Sequence, residues 1–205
     1  MKISKNIIVD TIFSVLITCN FSLWLVGCGG MVLRENSNDF IGVGITGVHH
    51  IGPNFNITDF YVDGYNGSNV GREGGGGRYV CCAMLPSKWR PDLSVEVRWS
   101  VANWSKEVTE ETKKGNYRSL TFEQYKARVP VEKYISAENI YVHFFPRGKV
   151  RVVSSTSGPG GRLHPILQDD PHAAEIATIG TPIDDLFTES ELNKLRAERD
   201  RGGWR

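Results

Sequence analysis

Residues 93–101 read LSVEVRWSV. Leu93, Val95, Val97 and Trp99 occupy every second position, with Ser94, Glu96, Arg98 and Ser100 between them. A strand turns successive side chains to opposite faces, whereas a helix needs apolar residues three and four apart. The stretch therefore predicts a half-buried β-strand. Outward from it, other short segments have strand character and are bounded by Gly, Pro, Asn and Asp. They are IGVGITGVHHI (41–51), FNITDFYVDG (55–64), RYVCCAML (78–85), NIYVHFF (139–145) and KVRVVSS (149–155). Pro146-Arg147-Gly148 separates the last two, which makes them a hairpin candidate. Helical signals are fewer. Thr121 with Gln124 opens TFEQYKAR as a capping box, and Thr188 with Glu191 opens SELNKLRAERD in the same way. The expected class is α+β. It is mainly antiparallel β, as a sheet or sandwich, with short peripheral helices and a C-terminal helix.

The chain has 205 residues, 40% hydrophobic and 23% charged, which suits one globular domain. Its formal net charge is +1. Phosphate contacts demand a basic field that this balance does not supply, so nucleic acid is excluded as a partner.

The N-terminus reads as an export signal: Lys2 and Lys5 precede an apolar run that Asp10 and Asn20 interrupt. An acid within hydrocarbon is costly and no basic cluster follows, which argues against a transmembrane helix. The run ends at Leu25-Val26-Gly27-Cys28, which resembles the bacterial lipobox. A small Gly27 admits the peptidase, and the Cys28 sulfur accepts a diacylglyceryl group. The expected division is residues 1–27 as lipoprotein signal peptide, 28–40 as lipidated tether, and 41–205 as one globular domain with a C-terminal helical tail. The lipid on Cys28 anchors the domain to a membrane, and no other cofactor is expected. By resemblance to enterobacterial lipoproteins, Gly29 after the Cys implies the outer membrane, periplasmic face. Loss of Lys2, Lys5 and Asp10 takes basic residues from 24 to 22 and acidic ones from 23 to 22, leaving a mature formal net charge of 0.

No catalytic constellation and no metal site is expected. GYNGSNVGREGGGGRYV (64–80) holds seven glycines, but Arg78-Tyr79-Val80 leads into a strand rather than the Lys-Ser/Thr of a phosphate loop. The segment reads either as a flexible connection or as a loop that enters a cleft on a partner, with Arg72, Glu73 and Arg78 as polar contacts. Trp89, in LPSKWRPDL, is either a binding anchor or a cap on the sheet core. Adjacent Cys81 and Cys82 would point to opposite faces of an extended strand. Buried reduced thiols are therefore expected ahead of a vicinal bridge, although an oxidising compartment keeps the bridge open. The five histidines, His49, His50, His143, His164 and His172, lack helical metal-binding spacing and read as structural or surface residues.

The stretch from Gly47 to Trp99 resembles a family of small bacterial lipoproteins carrying a domain of unknown function. The resembling features are Gly64-Tyr65-Asn66-Gly67, the glycine run before Val80-Cys81-Cys82, Leu85-Pro86, Trp89, and the Val95, Val97, Trp99 strand. YVHFFPRGKVRVVSS (141–155) and His164-Pro165-Ile166 also fit, so the resemblance spans roughly residues 41–167. Members are found beside phospholipase effectors of type VI secretion systems and act as their immunity proteins. The resemblance implies a periplasm-facing inhibitor whose partner is a cognate phospholipase, and it carries over no inhibitory residue. Two other classes stand beside it. One is a structural or assembly lipoprotein of the envelope or secretion machine. The other is an envelope enzyme, which a cluster of His and acids in one cleft would favour.

Overall fold

The alternating stretch forms the centre of a sheet. In the computed structural model, which describes residues 39–75, 78–117, 120–167 and 170–200, strand β5 runs from Ser94 to Asn103. Val95, Val97, Trp99 and Val101 are buried, as the period-two pattern requires. Arg98 and Ser100 on the opposite face are buried too.

Ten strands and two helices make up the described chain. The strands are β1 (Phe40–His49), β2 (Phe55–Val62), β3 (Tyr65–Asn66), β4 (Val80–Pro86), β5, β6 (Thr121–Pro130), β7 (Ile140–Phe145), β8 (Lys149–Ser154), β9 (Thr178–Ile179) and β10 (Thr181–Ile183). The helices are α1 (Lys106–Lys113) and α2 (Glu189–Asp200). One five-stranded sheet has the order β4-β1-β7-β8-β9 and the other β10-β6-β5-β2-β3. All ladders are antiparallel except β1–β7, which runs parallel from Ile45↔Ile140 to His49↔Phe144. Among the described residues no helix is long and apolar enough to cross a membrane.

The two sheets share one apolar core, in which Ile45, Phe60, Val97, Trp99, Phe144 and Val152 are almost fully buried. Phe144 meets Phe60 edge-on at 5.3 Å and Trp99 at 5.8 Å. Aromatic rings thus join the layers. Strand β7 is buried on both faces. Ile140, Val142 and Phe144 enter this core, while Tyr141 and Phe145 pack with Val48, Val153, Ile166 and Ala173 in a second cluster behind the first sheet. A strand covered on both faces carries an unbroken apolar run, which is why IYVHFF holds a single strongly polar side chain.

The 139–155 hairpin forms as expected, with Phe145 opposite Lys149. The C-terminal capping box also forms. Thr188 N–H donates to Glu191 at 2.9 Å, and Glu191 N–H donates to Thr188 Oγ1 at 3.2 Å. The helix expected from Thr121 does not. Residues 121–130 pair with β5 along its whole length, from Thr121↔Asn103 to Pro130↔Ser94. A local capping signal is worth about 1 kcal/mol, and a ten-residue ladder against a buried strand outweighs it. A helix forms instead just upstream, where the Ser105 hydroxyl accepts the Val108 N–H at 3.4 Å.

The expectation of buried reduced thiols at 81–82 is corrected. Cys81 and Cys82 are joined by a disulfide across a cis peptide. That turn brings their Cα atoms to 3.1 Å and both sulfurs to one side, whereas an extended trans pair would have kept the sulfurs apart. Cys81 is exposed and Cys82 half-buried.

Candidate functional site

At the end of β1 the chain reads Gly47-Val48-His49-His50. The glycine-rich segment folds back over this end, and it is held rather than loose. Val70 is buried and exchanges both backbone hydrogen bonds with Ile57, at 3.1 and 2.8 Å. Gly67 N–H donates to Phe60 C=O at 2.8 Å, and a Cβ built on Gly67 would fall inside the Phe60 ring. Gly75 sits at φ +81°, and its Cβ position is occupied by Val70. That left-handed conformation favours glycine. At Gly67 and Gly75, glycine serves close approach.

The turn at 71–74 is clamped from the β1 side. His49 N–H donates to Gly74 C=O at 2.9 Å, and the His49 ring lies 2.8 Å from Gly71 C=O through Nε2. A carbonyl only accepts, so Nε2 carries the proton. Nδ1 then accepts the long 3.4 Å contact from Ile51 N–H. Burial lowers the His49 pKa, and the bond to Gly71 partly offsets this. This neutral imidazole pins the turn. Arg72 and Glu73 are exposed at its tip. The Arg72 guanidinium stands 5.7 Å from the ring centroid of Trp104, a cation–π distance. Trp104 is itself fixed by a 2.6 Å hydrogen bond to Asn56 Oδ1. Beneath the turn is an open cleft of about 400 Å³ lined by His49, His50, Pro53, Arg72 and Glu73.

Behind the cleft the histidines connect. His50 Nε2 lies 2.9 Å from His143 Nδ1, and His143 Nε2 lies 2.9 Å from His164 Nε2. His164 Nδ1 lies 2.7 Å from Ser157 C=O. The His50 ring stacks on Phe145 at 4.7 Å and is half-buried, while His143 and His164 are buried. Desolvation holds His143 well below the ordinary imidazole range, and the neighbouring His50, His164 and Arg151 push the same way. His164 is lowered by burial, against the opposing pull of Ser157 C=O and Glu132. Arg151 is engaged elsewhere: Nε donates to Glu132 at 2.6 Å and Nη1 to Ala173 C=O at 2.8 Å.

Of the partner-binding residues named from the sequence, the structure brings Arg72 and Glu73 together on the cleft rim. Arg78 is exposed on the approach to β4 and does not line the cleft. Trp89 is elsewhere. Its Nε1–H donates to Val131 C=O at 2.8 Å and its ring packs against the shared core, so it caps that core. Cys28, the signal peptide and most of the tether lie outside the described residues. The histidine chain was not foreseen. The parallel β1–β7 ladder, which sets Val48 opposite His143, brings its first two members together. The adjacent His49-His50 at the end of a β-branched strand was the one local hint.

The fold is a two-sheet β-sandwich whose glycine-rich crossover walls a cleft at one end. Residues 53–152 of it carry a domain matching the family described as "Protein of unknown function (DUF3304)". That span lies within the 41–167 stretch on which the resemblance rested. It contains the clamped turn, Trp89 and β5, and excludes His49, His50, His164 and α2. No curated protein and no solved structure matches the chain.

Proposed function

We propose that this protein is an immunity lipoprotein: anchored through Cys28 at the periplasmic face of the outer membrane, it binds a type VI secretion phospholipase and blocks it. The observation that carries the reading is the clamped Arg72–Glu73 turn. A flexible glycine loop would lose roughly 1–2 kcal/mol of backbone entropy per residue ordered on binding. This turn is already held by His49, Gly74 and Val70, so much of that cost falls in folding rather than in association. An inhibitor needs a preorganised, charged and exposed contact set, and Arg is a residue type enriched at binding hot spots. The resemblance supplies the partner class, and the domain match over 53–152 covers the turn. The test is co-purification with the product of the adjacent gene, followed by a phospholipase assay with and without this protein. A stable complex and loss of lipase activity are expected. An unaffected lipase rejects the reading.

A second reading, an envelope enzyme, draws on one observation: His49, His50 and Glu73 line one cleft. Against it, both His49 nitrogens are engaged with backbone groups and His50 Nε2 is directed at His143. Hydrolysis of ester or phosphodiester substrates by the wild type, lost in His50→Gln, would favour this reading.

A further inference from the structure

We propose that the end of the sandwich at which the tether joins is a seat on the lipid bilayer, with Ile135 at its tip, so that the Arg72–Glu73 turn is presented away from the membrane. The inference rests on the Cys28 anchor of the proposed function and adds an orientation to it. Three segments meet at that end. β1 begins at Phe40 and pairs there with the end of β4, Phe40 opposite Pro86 and Gly42 opposite Met84. Ser87 N–H donates to Asp39 C=O at 2.7 Å, and Ala137 N–H donates to Ser87 C=O at 3.1 Å. The Tyr134 hydroxyl donates to Pro86 C=O at 2.6 Å. Tyr134 and Ala137 are buried, so the short loop between them is pinned on both sides while Ile135 is held outward. Ile135 is 99% exposed, more than any other large apolar side chain among the described residues. Phe40, Ile41 and Met84 are exposed on the paired strand ends.

Exposed apolar side chains scattered singly need no explanation. These four gather at the end where the tether joins. The stretch from Cys28 to Asp39 spans at most about 40 Å. A lipid on Cys28 therefore keeps this end close to the bilayer and raises its effective concentration there. Interfacial binding grows with the apolar area buried at the headgroup boundary, and a tethered surface needs little of it. Lys88, Arg90 and Lys133 stand on the same segments as Asp39, Asp92 and Glu138. Charge thus neither drives nor opposes contact with a headgroup layer, and the apolar side chains carry it. The other end of β1 carries His49 and His50, which line the cleft. The extended strand Phe40–His49 places them about 30 Å from Phe40. A domain seated on Ile135 holds the clamped turn clear of the headgroups and open to a partner arriving from the periplasm.

The experiment places the full lipidated protein in vesicles of phosphatidylethanolamine and phosphatidylglycerol that carry nitroxide-labelled lipids. With Cys28 lipidated and Cys81 bonded to Cys82, a cysteine introduced by Ser136→Cys offers a single thiol for an environment-sensitive fluorophore and leaves Ile135 in place. Glu73→Cys, exposed at the turn, reports the opposite end. Quenching by the lipid nitroxides is expected for the label at 136 and not for the label at 73. Ile135→Asp removes a side chain exposed to solvent, so the fold stands, the protein still floats with the vesicles, and quenching at 136 is lost. Quenching that persists in Ile135→Asp shows proximity imposed by the anchor alone and overturns the seat. So does a label at 136 that is shielded from water yet unquenched by lipid, since a second copy or another protein then covers this end. A protein that does not float with the vesicles rejects the anchor and the seat together. A floating protein unquenched at 136 rejects the seat alone.

Discussion

Gly67 shows how one missing methyl group holds the site in shape. Its Cα lies against the Phe60 ring, and Phe60 in turn meets Phe144 across the sandwich. Gly67→Ala must move that ring or the crossover. Overpacking of this kind costs about 1–3 kcal/mol, and urea unfolding should show a lower midpoint with an unchanged slope. An unchanged midpoint would mean the crossover yields freely. Trp89 and Cys81–Cys82 carry the same lesson about single residues. Composition marked the tryptophan as a binding anchor or a core cap, and a backbone carbonyl 2.8 Å away decides for the cap. Strand alternation argued against bonded neighbours at 81–82, and a local cis turn removes that premise.

At the scale of elements, α2 is tied to the sheet through one buried cation. Arg98, on the outer face of β5, donates from Nη2 and Nη1 to the two Glu191 oxygens at 2.6 and 2.9 Å, from Nη1 to Leu186 C=O at 2.6 Å, and from Nε to Glu96 at 2.7 Å. Phe187 covers the guanidinium at 4.6 Å. The hydrogen bond from Arg98 holds the Glu191 carboxyl well below the ordinary range. Glu191→Ala removes this pair and the reciprocal cap at Thr188. The Glu191 side chain is 38% exposed, so solvent screens part of the effect. A loss of about 1–2 kcal/mol is expected, together with faster amide exchange confined to α2. Unchanged exchange there would show that the helix needs no clasp. Element identity was legible where the pattern is local: the alternation at 93–101, the Pro-Arg-Gly hairpin and the Thr188–Glu191 cap. It was not legible at 121–130, where strand pairing overrides a capping box. Nor was the parallel β1–β7 ladder, since pairing between distant strands leaves no spacing to read. The histidine chain depends on that ladder and was hidden with it. Arg72 and Glu73 were legible as a charged tip among glycines, but the clamp that fixes them was not.

For the whole molecule, the buried imidazoles set a pH dependence. His49, His143 and His164 have folded pKa values below that of the unfolded chain. The unfolded state therefore binds more protons as pH drops below about 6.5. Stability should be full above that value and fall through the window between it and the depressed folded values. Asp59 and Asp63 are raised by burial and act in the opposite sense over a lower range, near the ordinary carboxylate value. Urea midpoints should thus decline from pH 7.5 to pH 5.5. A flat profile across that interval would contradict the neutral, buried state of the chain. In the proposed mature form, without residues 1–27, the formal net charge is 0, so net charge would add little long-range steering toward a partner.

The most direct measurement is calorimetric titration of the proposed partner, a type VI secretion phospholipase, with the wild type and with Arg72→Ala. The guanidinium is exposed and rests only against Trp104 among its described ring contacts, so its removal should leave the fold standing. If the clamped turn is the docking element, losing the anchor costs about 2 kcal/mol, or roughly thirtyfold in affinity, and inhibition weakens with it. Equal binding and equal inhibition by the two proteins would contradict the account and move the interface away from the Arg72–Glu73 turn.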